Sequence, residues 1–107
     1  MRKLNYVLGM ESGAAAMAEP YKAIGERLER VREAYGLSQS EFARRIGVKP
    51  HTYNGWLKGD KRPGIDTAID IRKEFHAGLD YIYAGDTSTL SVKLEYAIRH
   101  GKRLADL

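Results

Sequence analysis

Side chains that can bind an anion are concentrated in one short stretch of this 107-residue chain. His51, Asn54, Gly55 and Lys58 recur at helical spacing, so they share one face of a predicted helix. The basic pair 61–62 follows in a loop of glycine, aspartate and proline. An amide, an imidazole and several cations on one surface can form hydrogen bonds and ion pairs with a polyanion. The pattern indicates binding rather than catalysis.

Residue types that support catalysis or metal binding occur without the spacing that those functions need. The chain has no cysteine, and His51, His76 and His100 lie far apart in sequence. Neither a glycine-rich phosphate loop nor a nucleophile–base pair occurs. We therefore predict no enzyme, no catalytic residue, no metal site, no cofactor and no small-molecule ligand. Three glutamates of the predicted first helix are interpreted as a solvent-exposed face: Glu26, Glu29 and Glu33.

The net charge of +4 is unevenly distributed along the chain. Residues 22–62 carry ten basic and five acidic side chains, whereas residues 63–90 carry two basic and five acidic ones. A local positive excess favours a polyanionic partner, although a solvated surface has the same composition. No apolar run approaches the ~20 residues that a membrane helix needs, so no membrane partner is predicted.

Capping signals predict the helix that precedes the polar face. Ser38 and Glu41 form an S-x-x-E capping box, and Leu37 and Phe42 have the spacing of a hydrophobic staple. Gly47 is expected to end this helix after about two turns, with Phe42 and its apolar neighbours facing inward.

The next helix is expected to begin at Pro50, a residue suited to the first helical position. Opposite its polar face lie Tyr53, Trp56 and Leu57. Their spacing predicts core packing rather than stacking on bases.

Apolar periodicity predicts further helices over residues 21–35, 65–75, 79–83 and 91–99, and no convincing strand. The predicted fold class is therefore all-α. The apolar surface of the 65–75 helix is Ala68, Ile69, Ile71 and Phe75. Five later apolar residues either form a dimer interface or cover the domain's own core: Tyr81, Tyr83, Leu90, Val92 and Leu94.

Several motifs together resemble the lambda-repressor-like helix-turn-helix family, also called the XRE or Cro/repressor family. They span residues 24–85 and comprise REAYGLSQ at 32–39, Ala43, Gly47, Val48, WLKG at 56–59, RP at 62–63 and LDYI at 79–82. The resemblance implies a five-helix DNA-binding domain whose third helix enters the major groove, here with an extra C-terminal helix. We expect a flexible extension over residues 1–19, the DNA-binding domain over 20–86 with its motif at about 38–58, and a C-terminal helical extension over 87–107.

The resemblance also implies roles for individual residues. Gln39 would bind a phosphate and brace the recognition helix, and Lys49, His51, Thr52, Asn54 and Gly55 occupy positions that read bases or grip the backbone. Asn54 is the best candidate for direct readout, because an amide pairs bidentately with adenine; its alternative is a solvated helix surface. His51 either contacts DNA or has no role, and Thr52 either binds a phosphate or helps to cap the helix.

The basic residues at the end of the recognition helix have two interpretations. Lys58, Lys61 and Arg62 either contact the DNA backbone or make the loop soluble.

Three positions differ from the family pattern. Leu57 stands where a glutamate often pairs with the arginine at the position of Arg32, so Arg32 is open to another partner or to phosphate. Lys49 replaces a serine or threonine cap, which costs about 1 kcal/mol in the free protein. Gly55 replaces a long base-reading side chain and weakens the helix by roughly 0.8–1 kcal/mol relative to alanine.

The sequence predicts a sequence-specific binder of double-stranded DNA. Family members commonly form dimers on near-palindromic operators, so we expect a prokaryotic or phage repressor that acts as a homodimer in the cytoplasm, at the nucleoid. Two alternatives stay open: an antitoxin-type autoregulator, and a protein–protein adaptor on a degenerate helix-turn-helix scaffold.

Overall fold

The computed structural model describes residues 13–107, with side chains from residue 20 onward. Its helices, in chain order, are α1 Gly13–Tyr35, α2 Gln39–Arg45, α3 Pro50–Lys58, α4 Ile65–Phe75, α5 Leu79–Ala84 and α6 Val92–His100, followed by a 3₁₀ helix at Leu104–Asp106. This part of the chain contains no strand, so the predicted all-α class is confirmed. None of its helices is both long and apolar enough to cross a membrane. The extension predicted over residues 1–19 falls largely outside the described residues.

α1 is longer than its apolar pattern predicts. It begins at Gly13, upstream of the expected start at Tyr21. The buried stripe of Ile24, Leu28 and Val31 has the spacing of one helix face. Apolar periodicity therefore marks the packed part of the helix and carries no signal for its upstream end.

The start of α2 follows its capping signals. The Glu41 N–H donates to Ser38 Oγ and the Ser38 N–H donates to Glu41 Oε1, both at 3.1 Å. The predicted capping box is therefore confirmed. Phe42, Ala43 and Ile46 are buried, as their spacing predicts.

α3 packs closely against α1 through its apolar face. Tyr53 and Trp56 are buried, and Leu57 is half-buried at the edge of the core. A Cβ placed on Gly25 of α1 would lie only 2.4 Å from the backbone oxygen of Trp56. Only glycine permits that approach, so Gly25 sets how closely α3 lies on α1.

An aromatic cluster joins α1, α2, α3 and α4. The ring centroids of Phe42 and Phe75 lie 4.7 Å apart, those of Tyr35 and Phe75 4.9 Å, and those of Phe42 and Tyr53 5.4 Å. The Tyr35 hydroxyl also donates to the Phe75 carbonyl oxygen at 2.7 Å. These contacts fix the motif helices on the rest of the domain.

The predicted apolar surface of α4 is wrong at one residue. Ala68, Ile71 and Phe75 are buried, but Ile69 is exposed, as is Ile65 one turn before it. Ile69 lies about 200° around the helix from Ile71, so both cannot face the same core. Sequence composition alone does not separate the two faces.

The C-terminal apolar residues serve mainly the domain's own core. Tyr81, Leu90 and Leu94 are buried within it, and Tyr83 is half-buried. Val92 is 86% exposed. Of the two interpretations of this set, coverage of the domain's own core is therefore the one that applies to the three buried residues.

Candidate nucleic-acid interface

An open groove lies between the N-terminal ends of α2 and α3. It is lined by residues from both helices: Gln39, Ser40, Pro50, His51, Tyr53 and Asn54. Gln39, His51 and Asn54 are exposed, whereas Tyr53 is buried. The tight turn between the helices thus brings three of the predicted site residues to one surface.

The remaining site residues on or beside α3 differ in exposure. Lys49 and Lys58 are exposed at its two ends, and Thr52 and Gly55 are half-buried. Among residues 20–107, whose side chains the structure describes, no atom lies within 4 Å of a Cβ placed on Gly55, so the space outside it is open with respect to them. A ligand can therefore approach the backbone closely beside the exposed Asn54.

The N-terminus of α3 has the electrostatics of an anion site. Lys49 is the N-cap residue, and its side chain forms no capping hydrogen bond. Its carbonyl oxygen accepts from the N–H groups of Thr52 and Tyr53 at 3.0 and 3.2 Å. A lysine at the positive end of a helix dipole is unfavourable in the free protein and favourable beside a phosphate.

The basic loop after α3 is held by two contacts that sequence reasoning did not predict. The Arg62 guanidinium lies 5.0 Å from the centroid of the Tyr21 ring, a cation–π arrangement. The carbonyl oxygen of buried Pro63 accepts from the Tyr83 hydroxyl at 2.8 Å. Lys61, between these anchors and α3, is exposed. The loop thus presents Lys61 from a backbone tied to α1 and α5.

Glu29 lies at the centre of a hydrogen-bond network behind the groove. Arg32 donates to both of its carboxylate oxygens, from Nε to Oε2 at 3.0 Å and from Nη2 to Oε1 at 2.8 Å. The Tyr53 hydroxyl donates to Oε2, and Gln39 Nε2 donates to Oε1 at 3.3 Å. Arg32 Nη1 also donates to the Leu37 carbonyl oxygen at 2.7 Å. One carboxylate therefore links α1, α2 and α3.

The network keeps Glu29 ionised. Burial by itself raises the pKa of this carboxyl, but the hydrogen bonds from Arg32 and Tyr53 outweigh that effect and hold the pKa below its usual value. Burial and the adjacent carboxylate raise the pKa of Tyr53, so its hydroxyl stays protonated as a donor. The hydrogen bonds that Arg32 donates to the Glu29 carboxylate raise the pKa of Arg32. At neutral pH the Glu29 carboxylate and the Arg32 guanidinium are therefore both charged, and their charges cancel.

The interpretation of Glu29 as a solvent-exposed glutamate is wrong. Its side chain is 23% exposed, whereas that of Glu33 is 60% exposed. Its three-residue spacing from Arg32 is a local signal for an ion pair. The bond to Tyr53, in contrast, joins residues far apart in sequence and requires the fold. Arg32 has this partner in place of the glutamate that Leu57 replaces.

Comparison with known proteins agrees with this geometry. A sequence model described as Helix-turn-helix matches residues 28–82, about half of the chain. An HTH-type transcriptional regulator of Archaeoglobus fulgidus is 30% identical over 64 residues, which are 60% of this chain and 91% of that protein. YobD, an HTH-type transcriptional regulator of Bacillus subtilis, is 28% identical over 57 residues, which are 53% of this chain and 51% of YobD.

A putative HTH-type transcriptional regulatory protein of Pyrococcus furiosus is 39% identical over 51 residues, 48% of this chain and 16% of that protein. The chain therefore spans about half the length of the Bacillus relative and a smaller share of the Pyrococcus relative. No solved structure gives a significant match. The matched segment contains α2 and α3, with the groove between them.

Proposed function

Since this chain belongs to the Helix-turn-helix family of XRE type, whose members bind DNA and regulate transcription rather than catalyse reactions, we propose that it recognises specific double-stranded DNA with α3 in the major groove. The main support for this proposal is the difference between the two faces of α3. Exposed polar side chains line the groove at the starts of α2 and α3, while the opposite face of α3 is buried in the core. Because one face of α3 packs in the core, its polar face is accessible to a ligand.

We assign base contacts to the exposed part of this surface. Asn54 is exposed on α3 and has the amide that pairs with adenine N6 and N7. His51 donates to a guanine or to a phosphate. Gly55 leaves room for a thymine methyl group or a sugar-phosphate backbone to come close.

We assign backbone contacts to the residues around this centre. Gln39 and Thr52, at the starts of α2 and α3, bind phosphates with Lys49. The basic residues at and after the end of α3 bind phosphates of the neighbouring turn: Lys58, Lys61 and Arg62. Such contacts give affinity and salt dependence without sequence preference.

Selection of bound duplexes from a random pool tests the assignment. We expect enrichment of one sequence, and then different behaviour of two variants. Asn54→Ala relaxes base preference at one position, because it removes a base contact. Lys61→Ala weakens all duplexes alike, because it removes a phosphate contact. Equal effects of the two variants on selected and random duplexes contradict these roles.

We further propose that the protein is a homodimer that represses transcription by occupying its operator, in the cytoplasm. Val92 and Tyr96 are 86% and 46% exposed and lie one turn apart on α6, which supports this helix as the contact between two copies. Two recognition helices about one DNA turn apart would then cover a near-palindromic site. Sedimentation equilibrium of the wild type and of Val92→Ser tests this. A wild type that stays monomeric, with a selected site lacking symmetry, contradicts the dimer.

The division into a DNA-binding domain at 20–86 and a helical extension at 87–107 is part of this proposal. An antitoxin-type autoregulator would use the same surface and would also bind a toxin. The adaptor alternative would be favoured by a glycine at position 55 and by an Arg32 without its usual partner. Because Glu29 pairs with Arg32, only Gly55 still favours it.

A further inference from the structure

We propose that Glu29 is a positioning residue of the DNA interface: it orients Gln39 and couples that side chain to the recognition helix through Tyr53, without touching DNA. The inference rests on the proposed function. It starts from the observation that one carboxylate on α1 accepts hydrogen bonds from the first residue of α2 and from the middle of α3.

The bond to Gln39 restricts a side chain that is otherwise free in solvent. Gln39 is exposed, and its Nε2 has two hydrogen atoms, of which one donates to Glu29 Oε1 at 3.3 Å. Because the amide group is planar, that bond also limits the directions that the second N–H and the amide oxygen can take. A side chain already held in one orientation loses less entropy when it binds a phosphate.

The bond from Tyr53 fixes the helix that carries the base-contacting residues. Tyr53 is buried at 1% exposure, and it precedes Asn54 directly. Its hydroxyl reaches across to Glu29 on α1. A shift or rotation of α3 that displaced Asn54 would therefore break this bond, so Glu29 ties the position of Asn54 to that of Gln39.

Arg32 makes a carboxylate acceptable beside DNA. A free negative charge behind a phosphate-binding surface would repel the ligand. The two-point bond from Arg32 balances that charge and holds the carboxylate plane, and the same guanidinium bonds the carbonyl of Leu37 just before α2. Glu29 thus contributes orientation with little local charge.

The test compares Glu29→Gln with Glu33→Gln. Both changes remove one negative charge from α1, but Glu33 is exposed and lies farther from the Arg32 guanidinium, at 3.7 Å. The measured quantity is the ratio of affinities for the selected and a random duplex, in which the general charge effect cancels. We expect Glu29→Gln to lower this ratio about tenfold and Glu33→Gln to change it less than twofold. Equal ratios for the two variants would overturn the inference.

A coupling measurement separates positioning from general loss of structure. If Glu29 acts through Gln39, Glu29→Gln has at least a threefold smaller effect on the affinity for the selected duplex in a Gln39→Ala background, and the charge effect, present in both backgrounds, cancels in the comparison. Fully additive effects would contradict this. Tyr53→Phe keeps the ring in the core and removes only the hydroxyl, so we expect it to lower the ratio as well.

Thermal unfolding of each variant confirms that it is folded at the assay temperature. Should Glu29→Gln not fold, Tyr53→Phe decides, and an unchanged ratio for that variant overturns the inference. A different result would refute the proposed function. A wild type that binds no duplex refutes DNA binding itself, whereas a wild type that binds while Glu29→Gln behaves as Glu33→Gln refutes only the positioning role.

Discussion

Replacing Gly55 by alanine should stabilise the free protein. Gly55 lies inside α3 with helical backbone, and no atom of the described side chains lies within 4 Å of an added Cβ. The substitution should therefore raise the free energy of unfolding by roughly 0.8–1 kcal/mol, which is the difference in helix propensity between alanine and glycine, because the new methyl group meets no steric obstacle. For a domain of this size, such a gain raises the Tm by about 3–8 °C. Circular dichroism at 222 nm during heating and urea titration measures both quantities.

Gly47→Ala is the matched control. In the part of the chain that the structure describes, a Cβ there would also meet no atom within 4 Å, but Gly47 has a φ of +74°. Alanine in that left-handed conformation costs about 1–2 kcal/mol, so we expect this variant to be less stable than the wild type. If Gly55→Ala also loses stability, the space beside α3 is not open in the free protein and the account of this surface is wrong.

The same substitution should act in the opposite direction on DNA binding. The new methyl group would occupy the space where we place the ligand, so affinity for the selected duplex should fall while the free energy of unfolding rises. Fluorescence anisotropy with a labelled duplex measures the affinity. Unchanged affinity would indicate that DNA does not approach this part of α3.

Three further predictions concern the supports of the site. Gly25→Ala should destabilise the protein by about 1–3 kcal/mol in urea titration, because its Cβ would collide with the Trp56 backbone oxygen at 2.4 Å; a stability gain would refute this. Tyr83→Phe should cost about 0.5–1.5 kcal/mol by the same assay, since it removes the donor to the Pro63 carbonyl, and no change would show that the loop is held otherwise. The lowered pKa of Glu29 means that its ionised form stabilises the fold; this contribution is complete above the usual value of 4.5 and is lost as the pH falls through the lowered pKa. Urea titrations from pH 7 to pH 3 should therefore give a smaller acid-induced loss for Glu29→Gln than for the wild type, and identical curves would contradict the ion pair.

Local sequence signals predicted the motif well because its key interactions are local. The Ser38–Glu41 capping box joins residues three apart, and Pro50 marks the start of α3 directly. The burial of Tyr53 and Trp56 follows from helical spacing alone. The residues at which α2 and α3 begin, the turn between them and the residues that they bury can therefore be predicted from the sequence.

Features that depend on contacts between distant segments were not predictable in this way. Ile69 has the same residue type as buried Ile71, and only the placement of α4 on the core decides which is exposed. The bond from Tyr53 to Glu29 and the stacking of Arg62 on Tyr21 both need the final arrangement of helices. Helical spacing therefore predicts which residues of α3 are buried, whereas the contacts that support this helix require the fold.

Binding of a labelled duplex at increasing salt concentration shows whether the surface of α3 and the loop after it contact the DNA backbone. We expect measurable affinity at low salt, with the logarithm of the association constant falling linearly with the logarithm of salt concentration. We also expect Lys61→Ala to reduce the steepness of that line by about one, because one phosphate contact is lost. Absence of binding at the lowest salt concentration, or affinity that does not vary with salt, would contradict the claim that this surface binds DNA.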